Sequence, residues 1–151
     1  MKSKLLLALL TVTLAGTAAA QVKTDDAIKF RQSGYGFMAW NMGRIKANVE
    51  GQYNKDEVIK AANAIQAIAN SGMGALYPQG SDKGTGWEAT RVKPEFFTNK
   101  DGVTKVAMAF NKEANEMAKV AASGDAAAVG AQLGKLGGTC KGCHDDFKAK
   151  K

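Results

Sequence analysis

The chain holds two cysteines and one histidine, and all three fall within the run Cys140-Lys141-Gly142-Cys143-His144 near the C terminus. Cys-x-x-Cys-His is the attachment signature of c-type haem. Two thiols at this spacing reach the two vinyl groups of one porphyrin, and the imidazole that follows can turn beneath the ring to ligate iron. A chain that carries the motif has to build a pocket wide enough for a flat macrocycle, which restricts the folds open to it. Three other chemistries use cysteines at this spacing. A thioredoxin-type redox pair follows a strand and opens the helix of a βαβ unit, whereas here no strand-like run precedes the motif and the pattern around it is helical. A structural zinc ion needs about four ligands, and the sequence has no further Cys or His to supply them. A plain disulfide between Cys140 and Cys143 makes no such demands and stays open.

The first residues bear on the compartment. Lys2 and Lys4 precede a mostly apolar run over residues 5–14, and Ala18-Ala19-Ala20 offers an A-x-A cleavage site, the pattern of a secretory signal peptide. Cleavage after Ala20 leaves Gln21 as the mature terminus and one domain of 131 residues, 21–151. The apolar run is too short for a membrane span, and no other stretch approaches one. A periplasmic product without a membrane span is therefore expected. An oxidising compartment suits a disulfide and a haem thioether alike. The formal charge of +7 falls to +5 without Lys2 and Lys4, and two haem propionates would bring it to about +3. So modest an excess, with its lysines scattered, argues against nucleic acid as a partner.

Hydrophobic periodicity predicts four helices and no strand. Over residues 25–49, Ile28, Arg31, Tyr35, Met38, Met42, Ile45 and Val49 recur at steps of three and four, the period of one helical face. Arg31 is out of place there, because a lone buried guanidinium is costly unless an anion meets it. A haem propionate, an acidic side chain or outward snorkelling would each resolve the conflict. Tyr35, one turn on, can face the same interior as an ordinary core tyrosine or stand over the open face of iron. Gly34, Gly36 and Gly43 weaken this helix by roughly 1 kcal/mol each relative to Ala, and permit close approach by haem or another helix.

Residues 55–70 give a second, alanine-rich helix with Val58, Ala62, Ile65 and Ala69 inward. Its small residues leave room for a planar guest or for close helix packing. Glycines and prolines punctuate residues 71–97, yet Met73, Leu76, Tyr77, Trp87, Phe96 and Phe97 give this loop an apolar content that a linker would lack. It is expected to pack across the bundle and cover a haem edge. A third helix begins at Asn99 or Asp101 and runs to about residue 122, with Val103, Val106, Phe110, Met117 and Val120 as its apolar face. Ser123-Gly124-Asp125 stops it and caps the next helix, so the last two helices should be antiparallel neighbours. In the fourth, Val129, Leu133, Leu136, Cys140, Cys143 and Phe147 share the inward stripe, His144 follows Cys140 by one turn, and a polar tail, 148–151, ends the chain. The expected fold is an all-α antiparallel four-helix bundle with covalently bound haem.

A haem motif at the C terminus of a four-helix chain is joined, in order, by Asp26-Ala27-Ile28-Lys29-Phe30-Arg31-Gln32-Ser33, by Met42-Gly43-Arg44 and by the closing Cys140-Lys141-Gly142-Cys143-His144-Asp145-Asp146-Phe147. This arrangement resembles the class II cytochromes c, cytochrome c′ in particular, over essentially the whole mature chain. The smaller class I cytochromes usually carry the motif near the N terminus. The resemblance implies one haem c per chain, held covalently by Cys140 and Cys143, with His144 as the proximal ligand of a five-coordinate, high-spin iron. It also implies that Arg31 contacts a propionate, that Tyr35 holds the distal position, and that Lys148 lies on the proximal side near the histidine. The function implied is binding of nitric oxide and carbon monoxide, electron exchange with an unidentified redox partner protein, protection from nitric oxide, and a homodimer formed through the first two helices.

Two rivals follow from the same residues. A low-spin electron carrier would use Met38, one turn after Tyr35, as sixth ligand, since methionine opposite histidine raises the reduction potential; a methionine on a helical stripe also serves simply as core. A haem peroxidase would want a distal acid or base. With His144 already engaged, the chain has no other histidine to provide one. The expectation is therefore a protein that is not an enzyme, with at most weak peroxidase activity.

Overall fold

The computed structural model describes residues 22–150. The expected signal peptide and its cleavage point lie outside the described residues. Two helices, α1 (Thr24–Glu50) and α2 (Lys55–Ala69), are followed by a loop that contains a 3-10 turn (Met73–Leu76) and ends in the short α3 (Glu95–Thr98). Helices α4 (Lys100–Ser123) and α5 (Ala126–Phe147) complete the chain. α1 packs on α2, α2 on α4, α4 on α5 and α5 back on α1, which closes a four-helix bundle. Among the described residues there is no strand, only the isolated bridges Thr85 with Ala89 and Val92 with Lys148. No described helix is long and apolar enough to cross a membrane.

The helix ends follow local chemistry. Asn54 accepts from the Glu57 N–H at the start of α2, and Asn99 accepts from the Gly102 N–H at the start of α4. Asp125 accepts from the N–H groups of Ala127 and Ala128. Each cap satisfies donors that the first helical turn leaves without a partner. Gly124, at φ 77°, takes the left-handed conformation that ends α4 and turns the chain back into α5.

The core is formed where the predicted stripes meet. Ile28, Ile45, Val58, Ile65, Met117, Val129 and Leu136 are fully buried, with Ala61, Ala62, Ala114 and Ala121 between them. The buried alanines of α2 pack inside this core, so close helix packing, not room for a guest, accounts for their size. On α4 only Met117 of the predicted face is fully buried, while Val103, Val106, Phe110 and Val120 are half-buried. The close approach at Gly34 comes from the loop, since a Cβ there would stand 3.0 Å from Met73 Cε; nothing crowds Gly36 or Gly43.

Candidate haem site

Helix α5 places Cys140, Cys143 and His144 on the wall of one cavity of about 730 Å³. Periodicity causes the convergence, because residues three and four apart share a helical face. From α1, Arg31, Tyr35 and Met38 line the same cavity, and Tyr77, Trp87 and Phe96 close it from the loop. A volume of this order is that of a small-molecule or cofactor site.

The two sulfurs are half-buried and not joined to each other. Burial pushes both thiols above the ordinary cysteine value. His144 faces the cavity and also borders a second cleft, shared with Arg91, Lys93 and Lys148. Burial, followed by the positive charges of Lys148 and Arg91, lowers its pKa against the opposing pull of Asp145. That favours the neutral imidazole, the form that ligates a metal.

Arg31 is 3% exposed. One Nη donates to Leu76 O at 3.0 Å and Ser81 Oγ at 2.7 Å; the other donates to Ser81 O at 2.6 Å and Thr90 Oγ1 at 2.8 Å. Neither snorkelling nor an acidic side chain resolves its burial. Neutral loop oxygens take the four Nη hydrogens, which leaves Nε–H as the remaining donor and the charge without a carboxylate partner among the described residues. Burial lowers its pKa, although a guanidinium stays charged in proteins.

Tyr35 is 42% exposed and faces the cavity. Its hydroxyl accepts from the Tyr77 hydroxyl at 3.3 Å, and burial raises the pKa of both phenols. Met38 borders the cavity but is only 4% exposed and belongs to the core cluster. Lys148 caps α5, and its backbone N–H donates to His144 O at 3.1 Å.

The polar tail is also held in place by the loop. Lys93 N–H donates to Phe147 O at 3.0 Å and Ala149 N–H to Arg91 O at 2.8 Å, so the tail pairs with the loop beside His144. Lys93 Nζ also donates to Asp145 O and Asp146 O, at 2.9 and 3.0 Å, placing a cation at the negative end of α5.

The loop is also strapped to α1 by contacts that hydrophobic periodicity does not reveal. Gln32 Oε1 accepts from Trp87 N at 2.7 Å, its Nε2 donates to Glu88 O at 2.9 Å, and Trp87 Nε1 donates to Ser33 Oγ at 2.7 Å. At the crossing, a Cβ on Gly86 would lie 2.6 Å from the Lys29 backbone nitrogen. The signal available in the sequence was Gly84-Thr85-Gly86-Trp87, glycines that allow a close backbone approach beside an aromatic anchor.

These residues fit a haem. Two thiols and a neutral imidazole on one helix meet a cavity of sufficient size, and a buried guanidinium without a counter-ion stands on its wall. Among the described residues no group of three or more His, Cys, Asp and Glu side chains is placed to hold a separate metal ion. A four-helix bundle whose C-terminal Cys-x-x-Cys-His faces such a cavity has the architecture of a class II c-type cytochrome. Residues 26–148 match the family described as Cytochrome C′. The chain is 64% identical over 129 residues to the cytochrome c′ of Rhodocyclus tenuis, covering 85% of this chain and 97% of that protein. It is similar to a solved cytochrome c′ described as having ligand-controlled dimer dissociation, with a TM-score of 0.83 and 54% identity over 87% of this chain and 100% of that one. It is also similar to a ferrous variant of the Alcaligenes xylosoxidans protein with bound NO, with a TM-score of 0.76 and 27% identity over 86% and 98% of the two chains. The chain belongs to the cytochrome c′ family, whose members bind haem c.

Proposed function

We propose that this protein is a periplasmic gas-binding and electron-exchanging cytochrome, not an enzyme, with one haem c joined to Cys140 and Cys143 and ligated by His144. The observation that carries the reading is that all three side chains line the same cavity as the Tyr35 ring. When bound, the haem supplies reversible binding of diatomic gases and one-electron exchange. The chain's part is to hold and orient it and to restrict what reaches it.

Tyr35 is the distal group in this reading and the iron is high-spin and five-coordinate. The packing of Met38 in the core cluster supports Tyr35 over Met38 at that position. Arg31 meets a propionate through its charge and its remaining Nε–H, while Lys148 keeps a cation near the proximal histidine. The lack of a second histidine in the chain weighs against efficient peroxidase chemistry. Nitric oxide and carbon monoxide are the ligands, a redox protein supplies and takes electrons, and protection from nitric oxide is the role. The NO-bound relative supports this choice of gas.

A homodimer is part of the proposal. Phe30, Phe37 and Trp40 are 54%, 51% and 56% exposed, and their spacing puts them along one face of α1. The Phe37 and Trp40 rings lie 5.4 Å apart. Exposed aromatic side chains along one helical face mark a contact surface, and a second copy of the chain is its occupant, in keeping with the dimer of the similar structure.

Acid–acetone extraction tests the attachment. Colour should stay with the denatured protein, and Cys140→Ala together with Cys143→Ala should release it. Colour that passes to the solvent from the unaltered protein would reject the thioether links.

A further inference from the structure

Tyr35 does not stand alone over the cavity. Its hydroxyl has one hydrogen bond among the described residues, from the Tyr77 hydroxyl 42 positions along the chain. Tyr77 is itself held from several sides. Its ring stacks on Phe96, with centroids 4.4 Å apart and planes at 21°. The Arg31 guanidinium carbon lies 4.5 Å from the ring centroid on its face, in a cation–π arrangement. Its backbone N–H donates to Gly74 O at 3.1 Å. Phe96 in turn meets Phe147 edge-on at 5.8 Å, at the end of the helix that carries His144. Tyr77 is thus a fixed point. Tyr35 lies between Gly34 and Gly36 and presents its ring to the cavity, and a Cβ at Gly36 would meet nothing within 4 Å.

We propose that Tyr77 is a positioning residue that latches Tyr35 in the closed position and so sets how fast a gas reaches the distal face. The inference rests on the reading of Tyr35 as the distal gate. For a ligand to enter, the Tyr35 ring must swing aside, and that motion breaks the bond from Tyr77. The apparent association rate then scales with the fraction of molecules in which Tyr35 is open. A net hydrogen bond of ordinary strength changes such a fraction roughly two- to tenfold. At 3.3 Å this one is long, so the effect belongs near the lower end. The latch acts before ligand binding and leaves dissociation alone. A phenol is protonated at neutral pH, so the O–H donor is in place.

The test is carbon monoxide binding to the ferrous holoprotein by stopped flow, in Tyr77→Phe, Tyr35→Phe, the double variant and Tyr35→Ala. Phenylalanine at 77 retains the ring that packs on Phe96 and Arg31. Tyr77→Phe should associate roughly two- to threefold faster, the lower end of that range, with unchanged dissociation. In the Tyr35→Phe background the same substitution should change nothing, a non-additivity that a merely structural role would not give. A second readout needs no gas: in the ultraviolet resonance Raman spectrum, Tyr77→Phe and Tyr35→Phe should remove the same hydrogen-bonded phenol signal. If Tyr35→Ala leaves the rate unchanged, the gate itself is refuted and the latch with it. If Tyr35→Ala is faster but Tyr77→Phe is not, or if Tyr77→Phe accelerates equally in both backgrounds, the gate stands and the latch is overturned.

Discussion

Arg31 joins the loop to the cavity, and its two duties can be separated. Arg31→Leu strips the donors from both oxygens of Ser81, a residue that is fully buried. Orphaned buried acceptors of this kind should lower stability by about 3 kcal/mol. Arg31→Lys should lose much of the same stability, because one ammonium cannot reproduce the guanidinium fork, yet it keeps the charge. Removing a cation beside a haem favours the oxidised, more positive form. The expectation is therefore that guanidinium chloride midpoints fall in both variants while the reduction potential falls only in Arg31→Leu. Wild-type potentials in both would place the charge away from the haem. The position of Arg31 was legible because the 3.6-residue period exposes any intruder on a stripe. Its partners were not, since they lie 45 to 59 residues away on a segment without periodicity. For the same reason the sequence placed Tyr77 in a loop covering the haem edge but could not show its hydrogen bond to Tyr35.

Helices α1 and α2 are tied by Arg44 and Glu57, whose charged groups are in direct contact, with Lys60 on the same carboxylate. The hydrogen bond from Arg44, then that from Lys60, lowers the Glu57 pKa below the ordinary glutamate value. A carboxylate depressed in the folded state contributes stability at pH above its unfolded value, and loses it as pH falls through the folded one. Unfolding midpoints should therefore decline below about pH 4.3, the ordinary glutamate value, and Glu57→Gln should make that decline shallower. An identical decline in the variant would show that the pair adds nothing to acid stability. At this scale the sequence was most informative. The caps at Asn99 and Asp125 are local hydrogen bonds written in adjacent residues, and the four long helices follow from stripes of apolar side chains. The strap over residues 84–90 was half legible: its glycines and Trp87 signalled a close approach, but its partners Gln32 and Ser33 lie on a distant helix.

For the whole molecule, the bundle supplies a ring of helices, the loop covers the cavity between them, and the motif on α5 faces that cavity, the proposed haem site. Phe30, Phe37 and Trp40 lie on α1, the same helix that carries Tyr35. Trp40→Glu puts a charge on the aromatic face, so sedimentation should find a monomer where the unaltered protein sediments as a dimer. A dimer that survives this change would place the interface elsewhere. Sequence alone pointed to the haem because three rare side chains stood together, but it could not show that Met38 packs in the core while Tyr35 keeps its ring toward the cavity. That contrast carries the central claim of a vacant distal position. The most direct test is the optical and electron paramagnetic resonance spectrum of the purified holoprotein, ferric and ferrous, before and after nitric oxide. High-spin iron that takes up the gas is the predicted result, and low-spin iron that resists it would contradict the account and turn it toward Met38 as sixth ligand.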